Sequence, residues 1–67
     1  MSRKDVTNRQ KQVFQLIADG RQLKQVAHDL DITQRAVYQH LRSVKKNIGA
    51  PSTSAAVAKL IRKGEIT

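Results

Sequence analysis

Arg35, Tyr38, Gln39 and Arg42 recur at intervals of three, one and three within the stretch QVAHDLDITQRAVYQHLRSVKK, Gln25 to Lys46. Those intervals bring four donor-rich side chains to one side of an α-helix. An arginine fork matches O6 and N7 of guanine, and a glutamine amide can meet adenine in the same two-point manner. Val37, Leu41, Val44 and Ile48, spaced by four, three and four, form the opposite, apolar side. From Gln34 to Ile48 there are four cations and no acid. A helix with an aliphatic back and a basic, hydrogen-bonding front fits the major groove of duplex DNA. The plainer reading of such a run is a solvated face. The lack of any compensating acid, on the second helix of a helix-turn-helix pattern, favours DNA.

A second set is suited to phosphate rather than to bases. Lys24 falls in the first turn of the helix before the turn. Thr33 and Gln34 stand at the amino end of the next helix, where free amides and a hydroxyl can face an anion. Lys45 and Lys46 lie at its far end, and Arg9 and Arg21 can join them. For Thr33, capping its own helix and touching a phosphate are compatible roles. For each lysine taken alone, solvated surface is as good a reading as a contact.

Composition excludes much else. Thirteen Lys and Arg against five Asp and Glu give a net charge of +8 in 67 residues, a field that draws polyanions. No apolar run approaches the roughly 20 residues that span a bilayer, and the opening MSRKDVTN lacks the hydrophobic segment of a secretory signal. Phe14 and Tyr38 are the only aromatic residues, too few for a membrane-surface helix or for base stacking on single strands. With no cysteine there is neither a disulfide nor a thiolate metal site, and His28 and His40, twelve apart, make no zinc site by themselves. His40 reads as a half-buried structural imidazole. No serine, cysteine or paired carboxylate stands where catalysis needs one. The expectation is a non-enzyme that uses no metal, cofactor or small-molecule ligand.

The elements that must hold these residues are four helices and no strand. Thr7 and Gln10 have capping-box spacing for a first helix over Asn8–Asp19, with Val6 as a hydrophobic staple and Gly20 as its left-handed stop. Val13, Phe14, Ile17 and Ala18 are its apolar stripe. A second helix over Leu23–Leu30 turns Val26, Ala27 and Leu30 inward and begins at Gln22, a poor cap. Asp31 takes the sharp turn, as a short polar side chain tolerates the left-handed region. Ile32 then fills the core. Thr33 caps a third helix that runs to about Asn47, with Gly49 and Pro51 ending it. A fourth helix, Thr53–Lys63, carries Ala55, Ala56, Val57, Ala58, Leu60 and Ile61 around most of its girth. One strip closes the core, and Gly64 and Ile66 fold the tail back. The rest stays exposed in a monomer, which marks Val57, Leu60 and Ile61 as dimer contacts with Ala58 as a close-approach point. Residues 1–5 read as a flexible tail, and 6–67 as one domain of a size whose core seldom supplies more than about 3–5 kcal/mol.

In this order and spacing the chain resembles the LuxR/GerE family of helix-turn-helix domains. VTNRQ stands for the family's Leu-Thr-x-Arg-Glu, VFQLIADG for Val-Leu-x-Leu-Ile-Ala-x-Gly, and KQVAHDLDIT for Lys-x-Ile-Ala-x-x-Leu-x-Ile-Ser. AVYQHLRSV stands for Thr-Val-x-x-His-x-x-x-Ile, and KNIGA for Lys-Leu-Gly-Val. The tail AVAKLIRKGEI is most like that of the short stand-alone member that gives the family half its name. The resemblance covers Val6 to Ile66 and implies a compact all-α, four-helix domain with the third helix for recognition and the fourth for dimerisation. Ala36 stands in place of a usual Thr, Thr53 in place of a usual Arg, Tyr38 where a basic residue is common, and Gln10 in place of Glu. These departures bear on the target sequence and leave the fold alone.

Residues and resemblance together point to a homodimeric, sequence-specific regulator of transcription on double-stranded DNA. Its expected setting is the bacterial cytoplasm, host- or phage- or plasmid-encoded, with RNA polymerase as a further partner. The start MSRKD favours a stand-alone regulator over an excised domain. Two competing readings are an antagonist that heterodimerises with a larger LuxR-type protein through its fourth helix, and a fragment resembling sigma-factor region 4. His40 and the tail point away from the latter.

Overall fold

A computed structural model describes residues 6–67; the expected flexible tail, residues 1–5, lies outside the described residues. Four α-helices follow in order: α1 Asn8–Ala18, α2 Leu23–Leu30, α3 Gln34–Ile48 and α4 Thr53–Arg62. No strand occurs among the described residues. α1 and α4 each stop one residue before the expected end, and α3 runs one residue further.

Their starts obey local chemistry. The Thr7 hydroxyl accepts from the Gln10 amide at 3.1 Å while Gln10 Oε1 accepts from the Thr7 amide at 3.0 Å, a complete capping box. Thr33 and Ser52 cap α3 and α4 by accepting from Ala36 and Ala55. Gln22 precedes α2 with no side-chain cap, as its residue type implies.

Their ends share one device. The amides of Arg21, Ile32, Ala50 and Glu65 each reach back five residues, to the carbonyls of Leu16, Ala27, Lys45 and Leu60, at 2.8–3.0 Å. Such a closure places one residue in the left-handed region. Gly20, Gly49 and Gly64 do so at three of the ends; at the α2–α3 turn it is Asp31, with φ 54° and ψ 47°.

α3 is the central element and touches the other three helices, while α1 also contacts α2 and α4. The buried core is Val6, Val13, Phe14, Val26, Ala27, Val37, Leu41, Val44, Ala56, Leu60 and Ile66. Val6 and Ile66, from outside the helices, seal it. Ile17, Ala18, Leu30, Ile32 and Ile48, expected inside, are half-buried against its edge. Four short helices cannot enclose every apolar residue they and their turns carry. Among the described residues no helix is long and apolar enough to cross a membrane.

Candidate nucleic-acid interface

α3 displays its polar side because its aliphatic side is taken by the core. Val37 and Val44 are fully buried and Leu41 nearly so. Successive helical residues turn about 100°, so Tyr38, Arg42, Arg35, Lys46 and Gln39 share an arc of about that width. All five are exposed, Tyr38 at 56%. The four residues expected to meet bases therefore stand together and face solvent. His40, on the edge of the buried stripe, is half-buried.

The residues expected on phosphates surround this ridge less evenly. Lys24, Thr33, Gln34 and Lys46 are exposed, whereas Lys45 is half-buried. The Thr33 oxygen accepts from the Ala36 amide at 3.0 Å, which leaves its hydroxyl proton free to donate. Arg21 lies 3.7 Å from Asp29, so its guanidinium is shared with a carboxylate before any phosphate arrives.

Beside the ridge runs an open groove of about 830 Å³, lined by Tyr38, Leu41, Arg42 and Lys45 of α3, by Ile17, Arg21, Gln22 and Leu23 around the α1–α2 turn, and by Thr53 of α4. Its cations face no acid in that lining. Four of the expected contact residues, Arg21, Tyr38, Arg42 and Lys45, meet here. Outside it are Arg35, Gln39 and Lys46 along the ridge, Thr33 and Gln34 at the α2–α3 turn, and Lys24 in the first turn of α2. Gln22 was not foreseen as a neighbour of the reading face; Thr53 was marked only by the family resemblance, as the residue in place of a usual Arg. The signal for Gln22 lay in its failure to cap, which leaves a polar side chain unengaged at a helix start. Thr53 is brought there by the α3–α4 loop, which no local pattern specifies.

On α4 the expected dimer contacts divide. Ile61 is 46% exposed, Ala58 is exposed and Val57 is half-buried. Leu60 is fully buried in the core. It corrects the expectation that all four are available: one helical step from Ile61, Leu60 is rotated about 100° onto the strip that closes against α3, and it has no surface to offer a partner. Among the described residues no group of His, Cys, Asp or Glu could hold a metal ion.

The sequence has known relatives. The chain is 31% identical over 61 residues to the spore germination protein GerE of Bacillus subtilis (strain 168), covering 91% of this chain and 82% of that protein. It is also 31% identical over 62 residues to the uncharacterized response regulatory protein YgeK of Escherichia coli (strain K12), where it spans 42% of the relative's length. Residues 4–60 match the family described as GerE, bacterial regulatory proteins, luxR family. With that match running through all of α1, α2 and α3 and most of α4, the chain belongs to the luxR family of bacterial regulatory proteins, a family of DNA-binding helix-turn-helix domains and not of enzymes.

Proposed function

We propose that this domain is a sequence-specific regulator of transcription that binds duplex DNA as a homodimer in the bacterial cytoplasm. Arg35, Tyr38, Gln39 and Arg42 meet base edges in the major groove. Lys24, Thr33, Gln34, Lys45 and Lys46 hold the flanking phosphates, with Gln22 and Thr53 at the wall of the groove beside them. The observation that carries this reading is the acid-free, exposed face of α3 set on a back of Val37, Leu41 and Val44 buried in the core. Phosphate contacts supply affinity and register; only a rigidly backed helix can hold base-reading side chains in a fixed frame.

Pairing rests on α4. Val57, Ala58 and Ile61 lie at helical intervals of one and three, and an apolar strip at that spacing suits a two-fold contact in which each residue meets its counterpart's neighbourhood. A paired molecule sets its two reading helices into successive major grooves, about 10 bp apart. The alternative, heterodimerisation with a larger relative through α4, uses the same strip but gives the α3 face no task.

Selection of bound duplexes from a randomised pool tests the reading. Enrichment of an inverted repeat with half-sites about 10 bp apart is the expected result. A single enriched half-site would remove the dimer, and no enrichment at all would remove sequence-specific reading in favour of the antagonist.

A further inference from the structure

One side chain joins the helix that reads to the helix that pairs. Lys59, on α4, extends its ammonium to the carbonyl end of α3, where Nζ donates to the Ile48 oxygen at 3.1 Å and to the Gly49 oxygen at 3.4 Å. The final carbonyls of an α-helix lack partners within the helix and carry the negative end of its dipole. The Ala50 amide satisfies the Lys45 carbonyl at 2.8 Å; Lys59 serves the carbonyls of the last residue and of its left-handed cap.

The surroundings leave Lys59 few alternatives. Around it are Asn47, Ile48, Arg62 and Lys63, with no acid in that lining. The ion pairs found among the described residues lie elsewhere, between Lys11 and Glu65 and between Arg21 and Asp29. Neighbouring cations repel the ammonium while the carbonyls attract it, so both influences drive it to the end of α3. Asn47 is nine residues, about two and a half turns, beyond Tyr38 and so on the opposite side of the helix from it, while its neighbour Lys46 ends the exposed arc.

α3 and α4 are also in contact through the core, to which Val44 and Ile48 of one and Ala56 and Leu60 of the other belong. Apolar packing is non-directional and resists rotation of one helix over the other only through shape. Two hydrogen bonds from a charged donor are directional and stronger than neutral ones. We propose that Lys59 is a positioning residue that fixes the angle of α3 on α4, and thereby the separation of the two reading helices in a paired molecule. The second half of this rests on the homodimeric reading above; the first half does not.

The experiment compares Lys59→Met, which keeps the apolar stem and removes the donors, with Lys59→Arg, which restores them. Residual dipolar couplings of backbone amides report the α3–α4 angle in the free protein. Lys59→Met should change that angle or average it, with the couplings inside each helix retained, and Lys59→Arg should return it to the wild-type value. On DNA, the duplex recovered by selection is compared with the same duplex having one half-site scrambled. Lys59→Met should lose about tenfold on the two-site duplex and less than about twofold on the single site, because simultaneous engagement depends on geometry. An unchanged angle overturns the proposal. So does an equal loss on both duplexes, which would make Lys59 a phosphate contact. If the wild type itself never pairs on the two-site duplex, the homodimeric reading fails, and the couplings still decide whether Lys59 sets the angle.

Discussion

Gln15 and Thr67 face one another in a three-bond clasp, the weakest bond running from the Thr67 hydroxyl to Gln15 Oε1 at 3.3 Å. Gln15 Nε2 donates to the Thr67 main-chain oxygen at 2.8 Å, and its Oε1 accepts from the Thr67 amide at 2.9 Å. The side-chain amide thus pairs with the tail as a strand residue would. Next to it Lys11 meets Glu65 at 2.7 Å, and between these polar ties Ile66 is only 4% exposed. Polar bonds on either side direct the tail across α1 so that its one large apolar residue enters the core.

The two kinds of contact should differ in weight. Gln15→Leu loses hydrogen bonds that water can partly replace, a cost of about 1 kcal/mol. Ile66→Ala opens a cavity and should cost about 2–5 kcal/mol, comparable with the total stability of so small a domain. Urea denaturation followed by circular dichroism measures both. Equal losses would mean that the clasp, and not Ile66, holds the tail.

The ion pair makes a separate prediction about pH. The hydrogen bond and charge of Lys11 hold the Glu65 carboxyl below its ordinary 4.5, with Lys63 adding to the effect. A carboxylate whose folded pKa is depressed contributes stability above its unfolded pKa and loses it as pH falls through the folded one. Stability from this pair is therefore complete above about pH 4.5 and fades below it. NMR titration of the Glu65 side chain should show a midpoint under the ordinary value, and Lys11→Met should return most of the shift. The pair is only partly buried, so added salt should shrink the difference. A midpoint unmoved by Lys11→Met would break the assignment.

The clasp also marks how far local pattern reaches. Thr7 with Gln10, Thr33 as a cap, and Asp31 in the turn were all legible, because each depends on residues within four positions. The exposed arc of Arg35, Tyr38, Gln39 and Arg42 was legible for the same reason, since helical period and the Val37–Leu41–Val44 stripe fix it. Leu60 and Ile61 were not separable. Both are large, apolar and adjacent, and only the rotation of α4 against α3 decides which is enclosed. Gln15 meeting Thr67 across 52 positions, Lys59 meeting Ile48, and Thr53 joining the groove are consequences of chain closure. Nothing within a turn of any of these residues announces its partner.

Asp31 gives a test of the turn. At φ 54° an L-residue is strained by its β-carbon, about 1–2 kcal/mol, which short polar side chains partly relieve and glycine escapes. Asp31 is exposed, so substitutions there report the backbone rather than packing. Asp31→Val should cost about 1–2 kcal/mol and Asp31→Gly about 0.5 kcal/mol or less. Thermal unfolding measures the pair. Equal stability for valine and glycine would show that this turn relaxes out of the left-handed region.

Ile61 and its neighbour Leu60 separate pairing from folding. Leu60→Ala, at a fully buried site, should cost about 2–5 kcal/mol and loosen the whole domain. Ile61→Asp, at a site nearly half exposed, should leave the helical signal and denaturation midpoint close to wild type while preventing self-association. Sedimentation equilibrium with and without the selected duplex reads the second effect. Unchanged association and unchanged affinity in Ile61→Asp would place the pairing face somewhere other than α4.

Arg42 and Lys46 share the exposed arc of α3, and the proposed division between reading and anchoring predicts that they fail differently. Arg42 also lines the groove beside the ridge, where its fork can reach a guanine edge. Its loss should cost about 1–3 kcal/mol on the selected duplex, and much less on random duplex, since nonspecific binding never used that contact. Lys46, one turn further along, is a point charge with no planar geometry to match a base. Lys46→Ala should weaken both duplexes alike and lower the steepness of the log affinity against log salt plot by about one. Fluorescence anisotropy across a range of salt concentrations gives all four numbers. If Arg42→Ala instead reduces the slope and spares the preference for the selected sequence, the guanidinium sits on phosphate, and the base-reading role passes to Arg35, Tyr38 and Gln39.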